Sequence, residues 1–233
     1  MKTKHILPAD IEKTSMEIIE QELLERKISV PEENRAVVKR VIHTTADFEY
    51  TDNLRFTEGA TGKIAAKLRE GGIMLVTDTN MALSGVSKPS LKKLGCGAVC
   101  FMADAEVAEE ARERQTTRAA VSMERAAKKY DKIGFVVGNA PTALMSISSM
   151  MKDGLRPDFI IGVPVGFVNV VESKEEVLEL AEKYGIPAIV AAGRKGGSNV
   201  AAAIMNALMY EATDMLDPQK RYETVKQTAK VQY

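Results

Sequence analysis

The stretch Ile133-Gly134-Phe135-Val136-Val137-Gly138-Asn139-Ala140-Pro141-Thr142 joins a short apolar run to a glycine turn and the start of a helical pattern. An uninterrupted apolar run of this length is typical of a strand buried on both faces of a sheet. Four further runs of this kind, each followed by helical spacing or a long polar stretch, are Ile73–Val76, Gly97–Met102, Phe159–Val163 and Ala188–Ala191. Strands that alternate with helices predict the α/β class, as a three-layer α/β/α fold with a five-stranded, mainly parallel sheet.

Two helices are expected before the first strand. The first covers about Ile11–Arg26, and the second begins at Pro31 and ends near His43. Residues 48–56 are predicted to form a loop. The other predicted helices are Ala60–Arg69, two within Asp104–Tyr130, Thr142–Lys152, Lys174–Tyr184 and Ser198–Ala212. We predict one α/β domain over residues 1–216 and a polar, peripheral C-terminal tail over residues 217–233.

Composition excludes several classes of protein. The 233 residues contain 32 Lys plus Arg and 32 Asp plus Glu, so bulk charge gives no support for nucleic-acid binding. The sequence lacks an apolar segment of membrane-spanning length and the apolar part of a signal peptide, which predicts a cytoplasmic protein that does not enter a membrane. Cys96 and Cys100 have no second pair, and no cluster has metal-ligand spacing, so no protein-bound metal is expected.

Three glycine-containing loops follow the last three predicted strands. Ligands bind at the carboxyl ends of strands in open parallel sheets, and glycine lets a ligand approach the backbone closely. Tight turns need Gly and Pro in any case, but three such loops on one edge favour a binding site. In the last loop Arg194 and Lys195 stand beside helix-end amides, a combination that attracts carboxylate or phosphate. The loops are 138–143, 162–169 and 193–199.

The absence of known motifs limits the types of reaction that the sequence supports. A phosphate-binding P-loop, a dinucleotide-binding glycine motif and a Gly-x-Ser-x-Gly nucleophile elbow are all missing from the sequence. His43 then becomes the leading candidate, because imidazole transfers protons near neutral pH, and Arg40 shares its helix face. A histidine at a helix end more often has a structural or solvated role, so this argument alone leaves both roles open.

The ordered motifs resemble the precorrin-8X methylmutase family, which includes the cobalt-precorrin-8 methylmutases of the anaerobic cobalamin route. The resemblance covers roughly Ile11–Ala212. The motifs that carry it are Arg40-x-x-His43, Gly138-Asn139-Ala140-Pro141-Thr142-Ala143-Leu144, Gly162-Val163-Pro164-Val165-Gly166-Phe167-Val168 with Glu172-Ser173-Lys174, and Gly193-Arg194-Lys195-Gly196-Gly197-Ser198.

This resemblance implies an isomerase that moves a methyl group from C-11 to C-12 of a corrinoid macrocycle, with His43 as acid and base. It implies no cofactor, and any cobalt belongs to the substrate. It also implies substrate contacts from Ser15, Arg40 and, less directly, Arg118. The expected partners are an anionic corrinoid substrate and product, a second copy in a homodimer, and the next pathway enzyme at product hand-over.

Two other functions stay open at this point. One is a different isomerase or lyase that acts on a large anionic metabolite, and the other is a non-catalytic tetrapyrrole carrier that has kept the cleft. Without the resemblance, Arg40 and Arg118 are as well explained by surface ion pairs, and Ser15 by an ordinary polar position within a helix. Asp47 is a neighbour that has the chemistry to orient the imidazole, but it is not included in the predicted site.

Overall fold

The computed structural model describes residues 8–221, and their strands form one sheet. The strands are β1 Leu54–Phe56, β2 Met74–Thr77, β3 Gly97–Val99, β4 Ile133–Val137, β5 Phe159–Gly162 and β6 Ala188–Ala191. Across the sheet the order is β1-β6-β5-β4-β2-β3, and every pair is parallel except β1 with β6.

Helices cover both faces of the sheet within the described residues. They are α1 Pro8–Glu25, α2 Glu32–Thr45, α3 Tyr50–Asn53, α4 Ala60–Glu70, α5 Asn80–Gly85, α6 Lys88–Leu94, α7 Ala105–Glu113, α8 Arg118–Lys129, α9 Pro141–Lys152, α10 Val170–Tyr184 and α11 Ser198–Ala212. The predicted three-layer α/β/α class and the two leading helices are therefore confirmed. None of the helices between residues 8 and 221 has the length and apolarity needed to cross a membrane.

The strand β1 corrects the sequence prediction, which placed a loop over residues 48–56 and five strands in the sheet. Tyr50–Asn53 form a single helical turn, and Leu54–Phe56 pair with β6 in the antiparallel direction. A three-residue edge strand has too few positions to show a period, and Arg55 in its centre is exposed. Its conformation depends on hydrogen bonds to β6, which the local sequence does not encode.

Two apolar layers hold the helices on the sheet. One joins the sheet to α1, α2, α4 and α11, and the other joins it to α7, α8, α9 and α10. Val200, Ile204 and Leu208 are fully buried, so α11 lies at the centre of the first layer. Each of these side chains contributes about 1.5–3 kcal/mol through burial. In the sheet itself Gly134 leaves room for the ring of Phe159, because an added Cβ would lie 2.3 Å from that ring.

The predicted tail is described only as far as Arg221. The guanidinium of Arg221 pairs with Glu12 of α1 and lies over the ring of Tyr210, with 4.2 Å from its carbon to the ring centre. The remainder of the predicted tail lies outside the described residues.

Candidate active site

The C-terminal end of α2 lies beside the loop that follows β6. The helix ends at Ala46, which adopts a left-handed conformation (φ 54°) and donates its N–H to the carbonyl of Ile42. Beyond it, Lys195 of the β6–α11 loop pairs with Asp47 and Glu49, at 2.6 and 2.5 Å. The last turn of α2, which carries His43, is thereby brought to the carboxyl edge of the sheet.

His43 belongs to a charged cluster made by α1 and α2. Nη1 of Arg40 lies 2.6 Å from Oε1 of Glu12, and its guanidinium carbon lies 5.3 Å from the ring centre of Tyr210. The side chain of Arg40 is only 14% exposed, whereas His43, one turn later, is exposed at the surface. Among the described residues no hydrogen bond fixes the imidazole, so both of its nitrogens are free to meet a ligand.

The cluster sets the acidity of His43. Partial desolvation lowers the pKa of His43 below its ordinary value of 6.5, and the positive charge of Arg40 lowers it further. The carboxylate of Glu12 acts in the opposite direction and raises it. The neutral imidazole therefore predominates at pH 7, and the protonated form is a stronger acid than an unperturbed histidine.

Ser15 lies on α1, one helical turn after Glu12. Its hydroxyl donates to the carbonyl of Ile11 at 2.9 Å, a bond within its own helix. Ile11 and Ile18, which precede and follow Ser15 on the same helix face, are 52% and 55% exposed. The serine therefore stands in an apolar surface stripe next to the charged cluster.

Arg118 lies apart from the His43 cluster. It is the first residue of α8, it is exposed, and its Nη1 donates to the carbonyl of Met102 at 3.1 Å. The loop of Met102 follows β3, whereas the Lys195 loop beside α2 follows β6. Four strand spacings separate β6 from β3, which is roughly 20 Å along the same edge.

The loop after β4 already has an internal hydrogen-bond acceptor. The buried carboxylate of Asp78 accepts N–H groups from Gly138, Asn139 and Ala140, at 2.8, 2.8 and 2.6 Å. Desolvation raises the pKa of Asp78, and the three amides oppose this rise by stabilising the charged form. These three backbone amides are therefore not available to an incoming carboxylate.

The loop after β6 presents one cation outward and uses the other internally. Lys195 pairs with Asp47 and Glu49, which raise its pKa to about 12. Asp47 therefore serves Lys195 and does not orient His43. Arg194 is exposed and lies over the ring of Phe167, with 5.2 Å from the guanidinium carbon to the ring centre. Of the two cations, Arg194 is the one available to a ligand carboxylate.

A groove of about 650 Å³ opens between α1, α2 and the end of α11. Its lining includes Arg40, Met16 and Ala207, but neither Ser15 nor His43. The groove therefore adjoins the charged cluster without containing the imidazole. Between residues 8 and 221 no group of three or more His, Cys, Asp or Glu side chains is arranged to hold a metal ion.

Several residues at the carboxyl edge of the sheet are not predicted from the sequence. Glu12 belongs to no recognisable motif. It pairs with Arg40 only because α1 packs against α2 in the antiparallel direction. Asp78 ends the apolar strand β2 with Thr77-Asp78-Thr79, a polar strand end that is the single local signal for it. Lys174 belongs to the family motif Glu172-Ser173-Lys174, but no local sequence pattern indicates that it is buried.

Comparison with known proteins connects this geometry to a family. A family model described as precorrin-8X methylmutase matches residues 10–211. The chain belongs to the precorrin-8X methylmutase family. It is 40% identical over 210 residues to the cobalt-precorrin-8 methylmutase of Leptospira interrogans, covering 87% of this chain and 93% of that protein. It is 44% identical over 179 residues to the enzyme of that name from Salmonella typhimurium, covering 76% and 81%.

A solved structure agrees with this assignment. The precorrin-8X methylmutase of Thermus thermophilus superposes with a TM-score of 0.77 at 35% identity, over 88% of this chain and 98% of that one. This member of the precorrin-8X methylmutase family is thus an isomerase that carries out an intramolecular methyl shift, with a role in cobalamin biosynthesis. The predicted family and the predicted enzyme class are confirmed, and the carrier alternative loses its support.

Proposed function

We propose that this methylmutase converts precorrin-8, with or without cobalt, into hydrogenobyrinic or cobyrinic acid by moving a methyl group from C-11 to C-12. His43 is the acid and base of the reaction. The observation that carries this role is the place of His43 at the sheet edge, exposed and without a hydrogen-bond partner among the described residues, beside the Arg40–Glu12 pair. The protein acts in the cytoplasm.

The proposed chemistry needs one proton that is lent and returned. Protonated His43 donates a proton to the macrocycle, which polarises the conjugated system and eases migration of the methyl group with its bonding electrons. The imidazole then takes a proton back, and the macrocycle ends fully conjugated. Because the methyl group stays in the same molecule, no oxidant, reductant or organic cofactor is consumed, and any cobalt is part of the substrate.

The lowered pKa of His43 suits an acid that works only when the substrate is bound. A carboxylate-rich substrate placed next to the imidazole favours its protonated form, as Glu12 already does, and so raises its pKa toward neutrality. In the free enzyme the imidazole of His43 is mostly neutral at pH 7, and it becomes protonated when the substrate binds. His43 therefore acts first as the acid and then as the base.

Arg40 and Ser15 bind the substrate in this proposal. Glu12 is bonded at one terminal nitrogen of Arg40, and a guanidinium has five N–H donors, so donors remain for a substrate carboxylate. The exposed Ile11 and Ile18 on either side of Ser15 suit an apolar macrocycle face or a partner subunit.

Arg118 raises the question of a second subunit. One subunit places it roughly 20 Å along the sheet edge from the loop beside His43. We therefore include a homodimer in the proposal, in which the cleft lies close to the subunit interface and Arg118 binds peripheral carboxylates. Light scattering of the purified protein measures the mass, and a monomer that retains full turnover would exclude this part. The proposal also includes hand-over of the product to the next enzyme of the pathway.

The test of the function is turnover followed by the absorption change of the macrocycle. Purified protein is incubated with metal-free and with cobalt-bound precorrin-8, which also identifies the preferred substrate. His43→Ala is expected to lose at least about 100-fold in kcat while product binding is retained. Thr44→Ala is the matched control, since Thr44 is the exposed neighbour whose hydroxyl bonds only to the carbonyl of Arg40. Stoichiometric binding without turnover by the intact protein would contradict the proposal.

Arg40 has a separate test based on charge. Arg40→Ala should weaken binding of the anionic product, and the loss should be larger at low salt, where charge interactions are less screened. Product affinity that responds neither to the substitution nor to ionic strength would remove Arg40 from the proposed contacts.

A further inference from the structure

Lys174 is a buried lysine without a carboxylate partner. It lies in the second turn of α10, the residue is 1% exposed, and no carboxylate among the described residues forms an ion pair with it. Lysine is rarely buried to this extent unless it is paired, because removing an ammonium group from water is costly. A residue retained at such a cost calls for a specific role.

The ammonium group of Lys174 joins the two sides of the turn that carries Arg194. It donates to the carbonyl oxygens of Gly193 and Lys195, each at 2.8 Å. These two acceptors flank Arg194, whose own side chain extends outward over Phe167. Lys174 therefore fixes the direction in which the turn presents its exposed cation.

The same turn supports the segment behind His43. From the residue that Lys174 holds by its carbonyl, the side chain of Lys195 reaches Asp47 and Glu49. Asp47 also accepts the N–H of Glu49 at 2.9 Å, so this short segment is closed on itself directly after α2. A continuous set of contacts thus runs from Lys174 through Lys195 to the end of the helix that carries His43.

A Cβ at the next position would break the arrangement, which shows how closely the turn is packed. At Gly196 an added Cβ would lie 2.1 Å from the carbonyl oxygen of Val163, and the N–H of Gly197 donates to that oxygen at 2.9 Å. The turn is therefore held by the loop after β5 on one side and by Lys174 on the other, so a shift of either support moves the turn.

We propose that Lys174 is a positioning residue for the methyl shift, which holds the Gly193–Lys195 turn so that Arg194 faces the ligand and the Asp47–Glu49 segment supports His43. The inference rests on the proposed function of His43. Lys174 does not touch the substrate, since its side chain is enclosed. Its effect on the reaction passes through the turn, by way of Arg194 toward the ligand and by way of Lys195 toward His43.

The experiment compares Lys174→Met, Lys174→Gln and the control Lys183→Met. Methionine fills the space but donates no hydrogen bond, whereas the glutamine amide keeps N–H donors without charge. Lys183 is an exposed lysine in the last turn of the same helix. Amide hydrogen exchange is measured over residues 46–49 and 192–197, and kcat and KM are measured with the corrinoid substrate.

Lys174→Met should speed exchange in both segments at least about tenfold and lower kcat about tenfold. KM should rise by no more than about threefold, because Arg194 is one exposed ligand contact on the turn, whereas Arg40 and Ser15 lie on α2 and α1. Lys174→Gln should recover part of both losses, and Lys183→Met should match the wild type. Unchanged exchange in Lys174→Met, or faster exchange throughout the protein without recovery by glutamine, would overturn the proposal.

A pH profile separates positioning from mere support of the fold. Burial lowers the pKa of Lys174 to about 8, and neither the nearby Glu172 and Glu175 of α10 nor the Arg194 and Lys195 cations of the turn shift it. Every variant should lose kcat as His43 loses its proton with rising pH. Above about pH 8 the neutral amine of Lys174 keeps N–H donors without charge, as glutamine does, so the wild type should lose a further part of kcat there, and Lys174→Met should lack this additional fall. An additional fall of the same size above about pH 8 in Lys174→Met counts against the proposal. If the wild type turns over no corrinoid, the proposed function fails, and exchange in the two segments still decides the role of Lys174.

Discussion

The buried ammonium of Lys174 makes a quantitative prediction about stability. Its pKa falls from 10.5 to about 8 on folding because the side chain is removed from water. Between these two pKa values the unfolded chain binds a proton that the folded protein has released, so the free energy of unfolding rises with pH. The full difference corresponds to about 3 kcal/mol, of which about 2 kcal/mol falls between pH 7 and pH 9.5.

Urea denaturation of the wild type and of Lys174→Met, across this pH range, measures the effect. Other titrating groups change both proteins alike, so the difference between the two unfolding free energies isolates Lys174. The size of this difference at pH 7 does not test the prediction, because two opposing effects contribute to it. Methionine leaves two carbonyls without donors, at about 1–3 kcal/mol each, but it also removes a buried charge of comparable cost.

The pH dependence of this difference is the test. The stability of the wild type relative to Lys174→Met should rise by about 2 kcal/mol between pH 7 and pH 9.5. A difference that stays flat would mean that Lys174 keeps its ordinary pKa and is hydrated. A difference that falls would mean that the charged form is favoured by an acidic partner. Either result would show that burial does not lower the pKa of Lys174.

Three further predictions concern other parts of the molecule. Glu12→Gln removes the carboxylate that raises the pKa of His43, so NMR titration of the imidazole should give a lower pKa than in the wild type, and a higher one would contradict the assigned cluster. Glu20 has a pKa of about 2 because of its hydrogen bonds to the cations of α2, so the wild type should lose about 1 kcal/mol as pH falls from 4.5 toward 2, and Glu20→Gln should not show this loss. Gly196→Ala should destabilise the fold by about 2–3 kcal/mol, because its Cβ meets a backbone carbonyl, whereas Gly62→Ala, at an open helical position, should stabilise it by about 0.5–1 kcal/mol in the same denaturation assay.

The sequence predicts those parts of the fold that depend on local patterns. The bounds of β4, Ile133–Val137, and of α11, Ser198–Ala212, agree with the structure, because an uninterrupted apolar run marks the strand and a long apolar segment after a glycine turn marks the helix. The edge strand Leu54–Phe56 is missed because three residues show no period and because its pairing partner, β6, is distant in the chain.

The candidate site divides in the same way. His43 and Arg40 share a face of α2 because they are three residues apart, which is readable from the sequence. That Glu12 pairs with Arg40 and acts on the pKa of His43 depends on how α1 packs against α2. Charge interactions depend on distance in space and on burial, and neither quantity is a property of a local stretch.

The motif loops show most clearly what tertiary structure adds. Their residue types predict a ligand site at the carboxyl edge of a parallel sheet, and the family comparisons agree with an enzyme of that kind. The structure alone reveals that Asp78 occupies the amides after β4, that Lys195 is paired within the protein, and that Lys174 lies buried beneath the turn. The family, most of the helices and strands, and His43 as a candidate acid are therefore readable from the sequence alone. The packing of distant segments decided which charged groups remain free for a ligand, because each one is paired or left free by neighbours that only folding brings together.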